Sequence, residues 1–264
     1  MLMEVKKQLK IMFLSIKYNL MKQMVNKVTF ITNILFMILN NGSFILQWII
    51  LFNIKSEIGG YTFKEVILLW GMAASVFGLA HIMFNKAFSL SDLIINGKLD
   101  TFLVQPKNVF LSVITSDTRV SAIGDLIYGY ICLIIYGITF KTFFFFTFFT
   151  ITGAIILTAF SSILNSFSFW IVKADILSDC LTDILINFAT YPGSIFKESI
   201  QILLLTLIPV GVSNYLAVDL ILNFNIWGFL YNLAFAIIIT MFAFWIFNKG
   251  LKRYASSNLM SSRI

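Results

Sequence analysis

Apolar runs of membrane-crossing length recur along this chain, and they decide what it can fold into. The last of them, Ile226 to Phe247, carries no charged side chain over 22 residues. A helix of about 20 such residues, rising ~1.5 Å each, crosses the ~30 Å hydrocarbon core of a bilayer. Lipid offers no hydrogen bonds, so the backbone inside it must be helical or close into a barrel. The runs are far longer than barrel strands, which fixes the class as all-α and polytopic. Composition agrees: 59% of the 264 residues are hydrophobic and 12% are charged, against about a quarter charged in soluble domains.

Six spans are expected over 28–247. The first covers Val28–Phe52; its Asn33, Asn40, Asn41 and Gln47 must face protein. The second covers Phe63–Phe84, where Gly71/Ser75 and Ala74/Gly78 lie four apart and suit close helix packing. The third runs from Asp117 or Thr118 to Gly137, and the fourth from Phe143 to Ile171. Within 184–217, Tyr191-Pro192-Gly193 and Pro209 interrupt the pattern, so one crossing plus a broken or re-entrant piece is expected. The sixth is Ile226–Phe247. Before these, Glu4–Met24 places Val5, Leu9, Met12, Phe13, Ile16, Leu20 and Met24 at helical spacing, with lysines on the other sides. That pattern is a basic amphipathic helix lying in the membrane interface.

The net charge of +7 collects beside apolar segments, which argues for positive-inside topology and against nucleic acid. Both ends are basic, so both termini are expected in the cytoplasm, with the polar loop 85–117.

Chemistry is sparse. There is no phosphate-binding Gly-rich loop with Lys-Ser/Thr, no Gly-x-Ser-x-Gly and no His-Glu-x-x-His. No metal spacing is visible. The single His81 is expected to be a packed or interfacial side chain. Arg119 and Asp125 are the candidates for an intramembrane pathway, but six residues apart they occupy different helix faces and need partners. Asp175, Asp179 and Asp183 form an acidic stripe read as a solvated face. The aromatic run Phe143–Phe149 is expected to anchor at the lipid interface.

Ile95-Asn96-Gly97-Lys98-Leu99-Asp100, then Leu103 and Pro106, resembles the Gly-x-Leu-Asp-x-x-Leu-x-x-Pro element of the ABC-2 superfamily of export-type ABC transporter permeases. Gly250-Leu251-Lys252-Arg253-Tyr254-Ala255-Ser256 resembles its ending. The resemblance implies one permease domain over 1–264, in a plasma membrane, with 1–27 a connecting helix and 248–264 a cytoplasmic tail. It implies two copies of a separate ATP-binding subunit and a second permease, identical or homologous. This chain would hold no cofactor, ATP and Mg being bound by the partner. Ser91, Asp92, Leu93, Gly97, Leu99, Asp100, Leu103 and Pro106 would form the coupling segment, with Asp100 capping the short helix after it. The cargo would be hydrophobic or amphipathic: a drug, peptide, lipid or glycan. An ion-coupled carrier acting alone is the alternative from another class.

Overall fold

The computed structural model describes residues 2–171, 174–206 and 208–254. The side chains of Val5, Leu9 and Asp175 lie outside the described set, as do residues Ala255 and Ser256.

α1 (Leu2–Gln23) is the expected amphipathic helix. It does not simply lie on lipid. Ser15 Oγ and Asn19 Nδ2 donate to the Thr115 carbonyl at 2.8 and 3.3 Å, and Gln23 Nε2 donates to that of Thr118 at 2.6 Å. α2 (Lys27–Ile54) starts at Asn26, whose side chain accepts from the Thr29 amide. α3 (Phe63–Phe84) starts where the Thr62 amide donates to Glu65 Oε2 at 2.7 Å. Such reciprocal capping satisfies donors that a helix start leaves open.

After α3 come a 3₁₀ turn (Asn85–Ser89) and three short helices: α4 (Leu90–Ile95), α5 (Asp100–Leu103) and α6 (Val109–Ile114). α7 (Ser121–Gly137) then returns through the bundle. The third span therefore starts later than Asp117 or Thr118, because residues 115–120 are occupied by bonds to α1 and by Arg119 N–H donating to the His81 carbonyl. α8 (Phe140–Ser166) begins three residues before Phe143, since Thr139 caps it by accepting from the Thr142 amide. α9 (Ala174–Ala189), α10 (Glu198–Thr206), a π turn (Gly211–Tyr215), α11 (Leu216–Leu222) and α12 (Ile226–Leu251) complete the order.

Among the described residues, four segments are long and apolar enough to cross a membrane unaided: α2, α3 with its continuation to Ile95, α8 and α12. α7 and α9, with 17 and 16 residues, reach only ~25 Å at 1.5 Å per residue. Each nevertheless joins the two ends of the bundle. α9 starts beside α8's last turns, where Ser178 Oγ meets Asn165, and finishes where the Tyr191 ring lies tilted against Trp48 of α2, centres 5.8 Å apart.

α10 and the Gly211–Leu222 segment meet at 88°. Their outer ends lie at the same end of the bundle. Ser194, just before α10, donates to the Gly59 carbonyl in the α2–α3 turn. Phe224, just after α11, lies 5.1 Å from Phe145 in the first turns of α8. The Ser213 carbonyl at the bend faces Gly153, halfway along α8. The interrupted piece is thus a hairpin that enters and leaves on one side.

The small-residue stripe is where α3 and α7 meet. A methyl added at Gly71 would stand 2.6 Å from Cys132 Cβ, and one at Gly78 would stand 2.7 Å from the Leu126 nitrogen. Gly129 answers from α7, facing Ser75 and the Gly71 carbonyl. The backbones approach this closely because neither side carries bulk. The aromatic run divides by helical period. Phe146 and Phe149 are fully buried, while Phe143 and Phe144 are exposed. Phe145 and Phe148 are half-buried against the same core, so interface anchoring describes only the outer face of the run.

Candidate functional site

The loop over 85–117 is a packed unit. Leu90, Leu93, Ile94, Leu99, Phe110 and Val113 form one buried cluster with Ala243, Ile246 and Phe247 of α12 and Ile163 of α8. Phe110 meets Phe244 and Phe247 with ring centres 4.6 and 5.0 Å apart. Gly97 turns the chain between α4 and α5 at φ +67°, a left-handed conformation that costs any residue with a Cβ.

The motif residues divide between the inside and the outside of this unit. Ser91, Leu93, Gly97 and Leu99 are buried; Asp92, Leu103 and Pro106 are exposed and Asp100 is half-buried. The end of α5 is exposed and apolar: Leu103 is 41% and Val104 85% exposed. Sequence reasoning does not single out Val104. Its signal is an apolar side chain between a helix end and a proline. Asp100 does not cap α5. The cap position is Leu99, with no side-chain bond, and Asp100 is the first helical residue. Its carboxylate instead faces Tyr254, whose phenol is pushed up to about 12 by burial first and by Asp100 second. The two family-like motifs, distant in sequence, therefore meet in space.

Asn165, 1% exposed near the end of α8, joins this unit to α9. Its Oδ1 accepts from the Ser91 amide at 3.1 Å. Its Nδ2 donates to Ser178 Oγ at 2.6 Å and to the Ser161 carbonyl at 2.9 Å. A buried side-chain amide satisfied on both ends holds its neighbours in one arrangement.

Arg119 and Asp125 do not share a site. Arg119, outside α7, donates from Nε to Ser121 Oγ at 3.1 Å and lines an open cavity of about 340 Å³ with Gln23, Asn33, Asn85 and Asp117. In that cavity Asn85 Nδ2 donates to Asp117 Oδ2 at 2.6 Å. Asp125 lies four residues into α7 and finds the partner it needed on α2, where Asn41 Nδ2 donates to its Oδ1 at 2.6 Å.

Asp125 lines a second cavity, also of about 340 Å³, walled by α2, α3, α7, α8, α9 and the hairpin bend. Asn40, Asn41 and Gln47 of α2 face into it, which accounts for three of the four polar residues in that span. Asn33 faces the first cavity. His81 is packed, its ring 3.9 Å from both Phe77 and Phe88 and its Nδ1 3.0 Å from the Phe77 carbonyl. Asp179 and Asp183 lie on the exposed side of α9.

Neither a curated relative nor a solved structure matches the chain. Residues 37–258 match the profile of the ABC-2 family transporter proteins, from within α2 to beyond α12. The chain is a multi-pass membrane transport protein and belongs to the ABC-2 family of transporters.

Proposed function

We propose that this chain is the permease subunit of an ABC exporter. A separate ATP-binding subunit, in two copies, would drive it, and a second permease, identical or homologous, would complete the pathway. The observation that carries this reading is the construction of the 85–117 unit. It offers an exposed apolar tip at Leu103 and Val104 and is rooted in α8 and α12 by buried packing. A partner pressing on the tip moves a rigid body, and Asn165 passes the motion to α9. ATP and Mg would stay on the partner. The cargo fitting such a bundle is hydrophobic or amphipathic.

Basic residues support the sidedness. Lys86, Lys98, Lys107 and Lys249 share an end with α1. Lys55, Lys64 and Lys141 take the other, which Lys197 joins through the Ser194–Gly59 bond. By the positive-inside rule the first end, with both termini and the coupling unit, faces the cytoplasm of a plasma membrane. The whole of 1–264 then works as one permease domain.

Affinity purification of the full chain from native membranes tests the reading. A co-purifying ATPase is expected, and its retention is expected to fall when Leu103 and Val104 are both changed to Asp. Transport in vesicles containing this chain alone would overturn it. That result would instead favour an ion-coupled carrier built around the buried Asp125.

A further inference from the structure

The cavity beside Asp125 carries an unbalanced set of polar atoms. Asp125 is 5% exposed, and Asn41 satisfies one carboxylate oxygen, but Oδ2 is buried with no hydrogen-bond partner. Asn214, at the hairpin bend and 2% exposed, donates from Nδ2 to the Ala189 carbonyl at 3.5 Å, while its Oδ1 has no partner. Both residues line the same cavity. A buried acceptor left open is costly in a low-dielectric surrounding, so a pair of them marks a place a donor is meant to fill. Arg119 does not fill it: Oδ2 has no partner, and Arg119 lines the other cavity.

The rest of the wall is apolar and aromatic. Phe44 and Trp70 stack with centres 5.3 Å apart, and Trp48, Phe77 and Leu157 continue the surface. Trp70 Nε1 is itself buried without a partner and offers a donor to an oxygen on the same ligand. Aromatic faces also attract cations. We infer that this cavity binds an amphiphile whose head group is a primary ammonium, donating to Asp125 Oδ2 and Asn214 Oδ1, with its alkyl part against the aromatic wall. This rests on the permease reading and deepens it by naming the chemical class of the cargo.

The volume suits one small head group and the first part of a chain. Specificity would come from N–H donors and not from charge alone. A quaternary ammonium has the charge and the aromatic attraction but no donor for either oxygen.

The test is a calorimetric titration of the full chain in lipid nanodiscs with three probes of equal tail length: dodecylammonium, dodecyltrimethylammonium and dodecanol. Dodecylammonium is expected to bind about tenfold or more tightly than either of the others. Asp125→Asn should remove that preference while leaving dodecanol unchanged. Asn214→Leu gives an independent variant should Asp125→Asn fail to elute as a folded species. Equal affinity for the three probes overturns the inference, and so does a preference surviving in both variants. The titration needs no ATPase and no nucleotide, so its result is read apart from whether the chain acts as an ATP-driven exporter.

Discussion

Asn165 Oδ1 accepts the backbone N–H of Ser91 at 3.1 Å across 74 residues of sequence. The same side chain holds Ser178 of α9. Replacing it with Leu keeps the volume and strands a buried amide, a loss of about 1–3 kcal/mol. Asn165→Leu is therefore expected to lower the Tm of the purified protein. Asn165→Asp keeps the acceptor for Ser91 but buries a carboxylate and turns an oxygen toward the Ser161 carbonyl, so it is expected to lower it at least as much. Thermal scanning in detergent measures both.

The α3–α7 seam tolerates no added bulk. A Cβ at Gly129 would overlap Ser75 Oγ and crowd the Gly71 carbonyl. Gly129→Val is expected to cost about 1–3 kcal/mol or more through forced separation of the helices. Gly42 of α2, where nothing lies within 4 Å of an added Cβ, serves as the control: Gly42→Ala should leave the thermal midpoint at or above that of the parent.

Inside and outside positions of the 85–117 unit should separate in one experiment. Leu99→Ala removes a fully buried side chain and is expected to cost roughly 2–5 kcal/mol. Leu103→Asp alters a side chain that is 41% exposed, so stability should fall far less while the pulled-down ATPase falls. If Leu103→Asp destabilises as much as Leu99→Ala, the tip is part of the core and the docking role fails.

α1 is tied to the bundle by side-chain donors to two loop carbonyls. The combined change Ser15→Ala and Gln23→Ala should raise proteolytic cleavage near α1 in native membranes. It should leave the protected pattern from α3 onward intact. Cleavage timed by mass spectrometry reads the difference.

The span pattern is legible because lipid imposes it: long apolar runs have no other fate, and the hairpin is announced by Tyr191-Pro192-Gly193 and Pro209. The Gly71, Ser75 and Gly78 stripe marks a packing face, but its partner becomes visible only when Gly129 and Cys132 come opposite. Asn41 and Asp125 each look expensive alone, and nothing local says that they pay for one another. In the Phe143–Phe149 run, residue type points to the interface, but helical phase sends Phe146 and Phe149 inward. Asn165 stands out in no way: a lone amide in an apolar helix has meaning only through the amide and hydroxyl brought to it from α4 and α9.

The hairpin enters and leaves the bundle at one end, and its bend supplies Ser213 and Asn214 to the cavity. Its outer ends are fastened by the Ser194–Gly59 bond and the packing of Phe224. Its bend is fastened too, by Asn232 of α12 donating to the Val212 carbonyl at 3.0 Å and by Asn214 donating to the Ala189 carbonyl of α9. The cavity floor is therefore clamped between α9 and α12. A relative shift of those two helices would carry Asn214 with them and change its spacing from Asp125 on α7. Motion of the outer frame would in this way set the grip on a molecule held halfway through the membrane.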